Sequence, residues 1–268
     1  MQKFIKEVTL GADPEVALRD VNNRVVPCYG IIPGTKASPF AINENDKFTG
    51  FSIQRDGFMA EFNIPPCKTC DSFVSSIQQG LKYLEANCVD GHKPYIISTY
   101  YAPDEQLEFP GSREFGCDPS FNVWTKMECA VPDADDNARY AGGHIHFGYK
   151  DPDEETTSEI IKILDLYLLI PSIILDPDTE RREVYGQAGT FRMKEYGGEY
   201  RPLSNFWTAS ETLTAWVWEQ TMIAIKKFNE GFRVSNELGQ KIVQIVKDSD
   251  VQLAEELINK FNIIIPND

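Results

Sequence analysis

The sequence predicts an α+β fold with a mainly antiparallel sheet, formed by a single domain that covers residues 1–268. Three observations support this prediction. The N-terminal half resembles a series of short strands and turns, the C-terminal half is mostly helical, and a strand-like stretch returns late in the chain. The chain has 268 residues, of which 42% are hydrophobic and 25% charged, so it is long and apolar enough to bury a sizeable core.

The first hundred residues are expected to form two hairpins and a helix. The first hairpin, over residues 7–30, turns around Val21-Asn22-Asn23, and the second, over residues 50–64, turns near Asp56-Gly57. Asp71 is the predicted N-cap of a helix that ends near Asn87. Apolar residues recur along that helix at helical spacing: Phe73, Val74, Ile77, Leu81 and Leu84.

The remaining strands and helices follow from the same periodicities. Strands are predicted over residues 94–101, 120–126 and 142–149. Helices are predicted over residues 153–170, 209–229, 236–246 and 250–261, and those from about residue 209 onwards are expected to pack on the sheet. The most apolar run, Leu164 to Leu175, contains Asp165 and Pro171 and is too short to cross a bilayer, so we expect a buried helix there.

The charge balance limits the classes of partner. Lys and Arg number 26 against 41 Asp and Glu, which gives a formal net charge of −15. Such an acidic chain is poorly suited to bind nucleic acid or an anionic membrane over a wide surface, and neither is expected as a partner. The N-terminal residues lack the apolar core of a signal peptide, so we expect the chain to stay in the cytoplasm.

The cysteines offer one alternative, a structural zinc site. Cys67, Cys70, Cys88 and His92 have the number and types of ligand that such a site needs. The predicted helix between Cys70 and Cys88 would hold them roughly 25 Å apart, too far for one tetrahedral ion. Reduced cysteines are therefore expected.

Four strand-like segments each place polar, chemically active side chains on one face. Residues i and i+2 of a strand share a face, so one face of each segment is apolar and the other carries carboxylates, imidazoles or a guanidinium. If these segments join one sheet, their polar faces line a single groove. The polar pairs and triplets are Asp13 with Glu15, Met59 with Glu61 and Asn63, His144 with His146, and Glu199 with Arg201.

The combination of residue types favours a hard cation and phosphate groups. Carboxylates with one or two histidines suit Mg²⁺, or alternatively Mn²⁺, better than zinc, and nearby arginines suit the phosphates of ATP. The sequence contains no phosphate-binding glycine loop of the usual kinds. Each pair taken alone also has an ordinary explanation, such as a turn, a solvent-facing strand residue or a surface ion pair.

The order of these motifs carries a family resemblance. GADPE, DGFMAEFN, GGHIHFG and EYRPLSNFW occur in the order seen in the carboxylate–amine ligases of the glutamine synthetase and glutamate–cysteine ligase superfamily. The chain more narrowly resembles the phage-type carboxylate–amine ligase family (amidoligase type 2), in which a segment like GCDPSF, residues 116–121, also occurs. The resemblance covers roughly residues 8–207. It implies a curved antiparallel sheet with helices on its convex face, an active site on its concave face, and a setting in a bacterial or phage-infected cell.

The resemblance also implies roles for individual residues. The metal ligands that it implies are Asp13, Glu15, Glu61, His144 and Glu199. The residues that it places at the nucleotide phosphates are His146, Arg182, Arg192 and Arg201, of which Arg201, Arg192 and His146 are the catalytic candidates. Two features depart from the family pattern: Asp13 stands where a glutamate is usual, and the second motif shows one clear acid, Glu61, where glutamine synthetase uses two.

The reaction implied by the resemblance is ATP-dependent amide formation through an acyl phosphate, with Mg²⁺ as the cation. The substrates would be a small-molecule or peptide carboxylate and an amine, neither of which the sequence identifies. Three alternatives remain open: a phosphotransferase resembling a guanidino kinase, a metallohydrolase that uses His144 and His146, and a catalytically silent binding protein on the same scaffold.

Overall fold

The chain segment at Asp13-Pro14 joins two antiparallel sheets into one strongly curled structure. The computed structural model describes residues 3–42, 50–114, 120–129 and 135–266. Its mixture of helix and sheet confirms the α+β prediction. In these residues the strands are β1 (Thr9–Ala12), β2 (Glu15–Arg19), β3 (Val25–Val26), β4 (Phe40–Ala41), β5 (Ser52–Asp56), β6 (Met59–Asn63), β7 (Lys93–Tyr95), β8 (Thr99–Tyr101), β9 (Phe121–Asn122), β10 (Met127–Glu128), β11 (Ala138–Tyr140), β12 (Ile145–Gly148), β13 (Thr190–Lys194) and β14 (Gly197–Tyr200).

The first sheet has the strand order β1-β12-β14-β13-β9-β10, and the second has β3-β2-β6-β5-β4 with β7 also paired to β2. The chain passes from the first sheet to the second at Asp13-Pro14, where β1 ends and β2 begins. The strand β6 bridges this break, because the backbone N–H groups of Phe62 and Ile64 donate to the carbonyls of Pro14 and Ala12. The polar side chains near the break therefore belong to one continuous surface.

The helices contact the sheets or pack on other helices. They are α1 (Cys70–Asn87), α2 (Asp104–Leu107), α3 (Glu154–Leu164), α4 (Ile170–Leu175), α5 (Glu180–Val184), α6 (Glu211–Asn229), α7 (Asn236–Asp248) and α8 (Val251–Phe261). A π-helical turn, Asp165–Leu169, joins α3 to α4, and a 3₁₀ helix, Asn205–Ala209, precedes α6. None of the helices in the described ranges has the length and apolar character needed to span a membrane.

The core lies between the sheet and these helices. The apolar partners in the parity pattern, Ile145, Phe147 and Tyr200, are fully buried in one hydrophobic cluster with residues of α3 and α6. Burial of each such side chain contributes roughly 1.5–3 kcal/mol. Behind the sheet, the buried Asp165 carboxylate accepts hydrogen bonds from Trp124 Nε1 at 2.7 Å and from the Tyr200 hydroxyl at 2.9 Å. This carboxylate ties the π-helical turn to β14.

Several predicted elements are confirmed and several are corrected. The hairpin over residues 50–64 is present as β5 and β6, turning at Gly57. The predicted first hairpin is wrong for its first strand, because β1 pairs with β12 and only β2 pairs with β3. The predicted strand 94–101 is divided into β7 and β8, and the predicted strand 120–126 is instead the start of the β9–β10 hairpin.

Three further corrections concern helices. The N-cap of α1 is Thr69, whose side chain accepts from the Ser72 N–H, and not Asp71. The helix predicted to end at residue 170 continues through the π-helical turn to Leu175. The stretch between this helix and α6 also forms α5, which the periodicity did not indicate.

The structure agrees with the expectation of reduced cysteines. Cys28, Cys67, Cys70, Cys88 and Cys129 are free thiols. Cys70 is the first residue of α1 and Cys88 follows its end, so the whole helix lies between them. In the described ranges, the groups of side chains that could hold a metal ion contain no cysteine.

Candidate active site

The polar face carries two adjacent groups of acidic side chains, one on each side of Pro14. The histidine cluster consists of Asp13, His144, His146 and Glu199. The carboxylate cluster consists of Glu15, Asp56 and Glu61. The antiparallel register explains the proximity, because His146 pairs with Glu199 across β12 and β14, while Glu15 pairs with Glu61 across β2 and β6. The parity pattern thus brings the predicted metal ligands together.

Asp13 lies at the centre of the histidine cluster. Its Oδ1 atom is 3.3 Å from His144 Nδ1 and 3.1 Å from His146 Nε2. His144 Nδ1 is also 3.9 Å from Glu199 Oε1. One ligand atom each from Asp13, His146 and Glu199 lies within 4.8 Å of the other two, so these side chains are close enough to share one cation.

The charges of the histidine cluster are strongly coupled. Burial opposes ionisation of Asp13, but the neighbouring His146 and His144 imidazoles hold its pKa well below the usual value. Burial, together with the positive charge of Arg201, lowers the pKa of His144 to about 4. His144 is therefore neutral near pH 7 and has a lone pair available for a cation. Burial alone would lower the pKa of His146, but the Asp13 carboxylate raises it.

Three cationic side chains surround the buried carboxylate of Glu199. Arg192 Nη1 lies 3.2 Å from Oε1, Lys194 Nζ lies 2.6 Å from Oε2, and Arg201 donates to Oε1. Burial and Asp13 oppose ionisation of Glu199, yet His144, Arg201 and His146 lower its pKa to about 2. Glu199 is an anion that holds these cations at the site.

Arg201 therefore lies inside the site and does not form a surface ion pair. Its Nη1 atom is 3.4 Å from His144 Nδ1, and its side chain is largely buried. Arg192 approaches the same Glu199 oxygen from β13, the next strand in the sheet. Of the predicted phosphate-binding residues, His146, Arg192 and Arg201 lie together.

The structure does not bring the predicted Arg182 to this group. The Arg182 guanidinium donates to the carbonyls of Ser172 and Asp176 and to Ser249 Oγ, which tie α5 to the helices behind the sheet. The neighbouring Arg181 faces the site instead.

Arg181 is buried beneath Arg201. It donates to the backbone carbonyls of Arg201 and Pro202 at 3.4 and 2.8 Å. Burial lowers its pKa to about 10, against the charge of Glu15. Because Arg181 and Arg182 are adjacent and identical in type, the sequence does not indicate which of them faces the sheet.

The negative charges of the carboxylate cluster are only partly compensated by neighbouring hydrogen-bond donors. Gln54 Nε2 and Asn63 Nδ2 donate to Glu61 Oε1 at 2.9 and 3.2 Å, and the Gly142 N–H donates to Glu15 Oε2 at 2.8 Å. Burial and the charge of Asp56 raise the pKa of Glu15 to about 7. Burial and the charges of Asp13 and Glu15 raise the pKa of Glu61 well above its usual value. A cation in this cluster would relieve that repulsion.

Sequence reasoning missed Asp56 as the further acid of the second motif. Asp56 was assigned to a turn, whereas it ends β5 opposite Met59. In a hairpin, Gln54 and Asp56 share the face of Glu61, so applying the parity rule to β5 would have found both. The structure thus provides two acids in the second motif, where the sequence had indicated one.

Side chains at the end of the groove do not follow the two-residue alternation of a strand. Phe58 and Met59 lie together in a small hydrophobic cluster with Ala102 and Leu107, although they were expected on opposite faces. Phe58 is in the hairpin turn before β6, where strand alternation does not apply. Met59 of this cluster lies opposite Asp56 in the β5–β6 hairpin. Most of the GCDPSF segment lies outside the described residues.

The SNFW segment fixes the backbone around the site. Asn205 Nδ2 donates to the Glu15 carbonyl at 2.8 Å, and Trp207 Nε1 donates to the Gly143 carbonyl at 3.1 Å. Ser204 Oγ donates to Asp176 Oδ2 at 2.7 Å. These bonds anchor the residues that immediately precede His144 and the strand that carries Glu15.

The donor set fits a hard divalent cation. Asp13 Oδ1 is buried and lies between the His144 and His146 imidazoles, 3.3 and 3.1 Å away. A buried carboxylate is costly unless positive charge or hydrogen bonds compensate it. Carboxylate oxygens with one or two imidazoles match the preference of Mg²⁺ or Mn²⁺.

Comparison with known proteins finds a family match in the later part of the chain. Residues 135–242 match the family described as phage phiEco32-like COOH·NH2 ligase-type 2, a segment that includes β12, β14 and most of the histidine cluster. The match does not include β1, β2 or β6, and it extends further into the C-terminal helices than the sequence motifs do. No curated protein sequence matches the chain. Residues 135–242 are thus similar to the family that the motifs indicated, the phage phiEco32-like COOH·NH2 ligase-type 2 family.

Proposed function

We propose that the protein is an ATP-dependent carboxylate–amine ligase that requires Mg²⁺ or Mn²⁺. The observation that carries the proposal is the pair of acidic clusters side by side in one groove, with Arg201 and Arg192 beside Glu199. The family match over residues 135–242 supports the same class of activity. ATP would supply the phosphoryl group that activates the carboxylate, and the cations would neutralise its charge.

In this proposal the two clusters hold the cations. His144, Asp13 and Glu199 provide one set of ligands, since His144 is neutral near pH 7 and both carboxylates stay ionised. Glu15, Glu61 and Asp56 provide the other set. The three carboxylates of the second set repel one another with little compensation. A bound cation should therefore stabilise this set more than the first. It also suits an incoming ammonium group, which the same carboxylates attract and help to deprotonate.

Arg201, Arg192 and His146 act on the phosphate groups in this proposal. A guanidinium can hold two oxygen atoms at once and keeps its charge in a buried site, so Arg201 and Arg192 suit the negative charge that develops during phosphoryl transfer. Arg181 acts indirectly by holding the backbone carbonyls of Arg201 and Pro202. No side-chain nucleophile is needed, because the substrate carboxylate attacks the phosphorus and the amine then attacks the activated acyl carbon with loss of phosphate.

The partners in this proposal are a small-molecule or peptide carboxylate and an amine, with no nucleic acid and no membrane. The test is phosphate release from purified protein with ATP, Mg²⁺ and a panel of amines and carboxylates, together with calorimetric titration of a non-hydrolysable ATP analogue. The ligase proposal requires that release depends on both substrates. A matched control is Glu61→Gln, which keeps the shape of a side chain in the carboxylate cluster while removing its charge.

The alternatives give different results in the same experiment. ADP formation with a single guanidino acceptor and no amide product would favour the phosphotransferase. Hydrolysis that needs no nucleotide would favour the metallohydrolase. Failure to bind Mg·ATP analogue would favour the catalytically silent binding protein. Any of these three results would overturn the ligase proposal.

A further inference from the structure

Tyr196 contacts the site from the turn between β13 and β14. Its hydroxyl oxygen lies 2.6 Å from His146 Nδ1. The two rings are nearly parallel, with an interplanar angle of 16° and centroids 6.0 Å apart. The Tyr196 side chain therefore fixes both the position of one imidazole nitrogen and the plane of the ring.

The turn that carries Tyr196 lies close to β12. The Tyr196 carbonyl accepts from the Tyr149 N–H at 3.0 Å, which ties the turn to the end of β12. A Cβ atom at Gly197 would lie 2.1 Å from the Phe147 carbonyl oxygen, and φ at Gly197 is +151°. At Gly148, a Cβ atom would lie 2.7 Å from Thr9 Oγ1. Two glycines thus let the turn approach β12 closely enough for Tyr196 to reach His146.

The two sides of the His146 ring favour the same tautomer. Asp13 raises the pKa of His146, and above that pKa the neutral imidazole carries one N–H and one acceptor nitrogen. On the Nδ1 side, the phenol of Tyr196 has a proton to donate. On the Nε2 side, Asp13 Oδ1 lies 3.1 Å away and an ionised carboxylate only accepts. A proton on Nε2 satisfies both neighbours, whereas a proton on Nδ1 would place two lone pairs against each other at Asp13.

We propose that Tyr196 is a positioning residue that holds His146 with its Nε2–H directed into the histidine cluster. This inference rests on the proposed ligase function and deepens it, since it makes His146 a donor to an anionic oxygen and leaves metal ligation to His144. Tyr196 acts through His146 and needs no contact with the reacting atoms.

The first test reads the tautomer directly. Long-range ¹H–¹⁵N NMR spectra of the imidazoles, recorded where they are neutral, resolve a chain with only 3 histidines. His146→Gln assigns the signals. Wild-type protein is expected to show His146 as the Nε2–H tautomer, and Tyr196→Phe is expected to show a mixture. Unchanged His146 signals in Tyr196→Phe, or an Nδ1–H tautomer in the wild type, would overturn the inference.

Tyr101→Phe is the matched control. Tyr101 is also an exposed tyrosine, 53% against 46% for Tyr196, and its hydroxyl donates to the Glu180 carboxylate at 2.6 Å. It should leave the His146 signals and the turnover rate unchanged. A change in His146 in both variants would mean that loss of any such hydroxyl disturbs the fold, and the inference would be wrong.

The second test separates this inference from the proposed function. With substrates that the wild type turns over, Tyr196→Phe should lower kcat roughly 10-fold, as expected for one lost hydrogen bond, while KM for the amine and the unfolding temperature stay constant. Wild-type kcat in Tyr196→Phe would overturn the positioning role alone. Absence of nucleotide-dependent turnover in the wild type would overturn the proposed function. In that case the tautomer spectra alone would test whether Tyr196 positions His146.

Discussion

Glu15 on β2 and Glu61 on β6 lie directly opposite each other in the antiparallel register, with their carboxylates in one buried cluster. Like charges facing each other across a pair of strands are destabilising. Burial adds to the effect, and the pKa of Glu15 rises to about 7. The apo protein therefore retains a proton in this cluster under conditions in which an exposed glutamate would be ionised.

This relationship predicts a pH-dependent response to divalent cations. The folded-state pKa of Glu15 is raised, so its contribution to stability is fully present below about pH 4.5 and is lost as the pH rises towards about 7. In excess chelator, the free energy of unfolding should fall over that interval. Bound Mg²⁺ replaces the proton, so the rise in unfolding temperature on adding Mg²⁺ should be larger at about pH 8 than at about pH 5.

Thermal unfolding at both pH values, with Mg²⁺ or with chelator, measures this effect. Glu15→Gln is the control, because it removes the titrating group and should flatten the difference between the two pH values. An equal gain from Mg²⁺ at both pH values in the wild type would show that the carboxylate cluster does not bind the cation.

Glu61→Gln and Glu199→Gln should both abolish turnover but have opposite effects on stability. Glu61 repels Asp13 and Glu15, so a neutral amide should leave the free energy of unfolding unchanged or raise it. Glu199 is fully buried and balances Arg192, Lys194 and Arg201. Its neutralisation leaves buried cations without an anion, at a cost of roughly 3 kcal/mol.

Urea unfolding and turnover of the two variants test this contrast side by side. Near-wild-type turnover in Glu61→Gln or Glu199→Gln would remove that residue from the proposed set of metal ligands. Equal stability losses in both variants would contradict the different charge balance of the two clusters.

Arg201→Lys should reduce kcat more than it reduces ATP affinity. Lysine keeps a positive charge near Glu199 but cannot hold two oxygen atoms at once. If Arg201 stabilises the phosphoryl group in transit, kcat should fall on the order of 100-fold, with a modest change in ATP affinity. Both quantities are measured at saturating Mg²⁺. Arg24→Lys, at an exposed ion pair with Asp20, is the control that should change neither. An unchanged kcat in Arg201→Lys would exclude Arg201 from the chemistry.

Substitutions of Arg181 and Arg182 should show that one arginine supports turnover and the other supports stability. Arg182→Leu removes the donor to the Asp176 carbonyl and to Ser249 Oγ, and should cost about 2 kcal/mol of stability while the folded protein keeps its ATP affinity. Arg181→Lys should lower kcat, because lysine cannot bond the Arg201 and Pro202 carbonyls together.

Unfolding temperature and ATP affinity of the two variants provide the comparison. Loss of ATP affinity in folded Arg182→Leu would support the role that the motif resemblance implies for that residue. Unchanged kcat in Arg181→Lys would show that Arg201 keeps its position without the guanidinium beneath it.

The sequence by itself determined which side chains share a face within one strand. The pairs His144 with His146 and Glu199 with Arg201 follow from the two-residue repeat of an extended chain, which is a property of the backbone. Asp13 and Glu15 do not form such a pair, because they lie on either side of the break between β1 and β2 and belong to different clusters. The same rule fails at Phe58, because a turn has no such repeat. The two-residue repeat also applies to Asp56, which ends β5, although the sequence suggests a turn at that position.

Only the tertiary structure decided which strands became neighbours and which arginine faced the site. β1 pairs with β12 and β12 pairs with β14, across long separations in sequence, because burial of Leu10, Phe147 and Tyr200 against the helices selects that order. Successive residues of a helix point about 100° apart, so the packing of α5 alone determines that Arg181 lies beneath Arg201 while Arg182 bonds the helices behind the sheet. Local periodicity is fixed by backbone geometry, whereas these relationships depend on long-range packing, which no short stretch of sequence encodes.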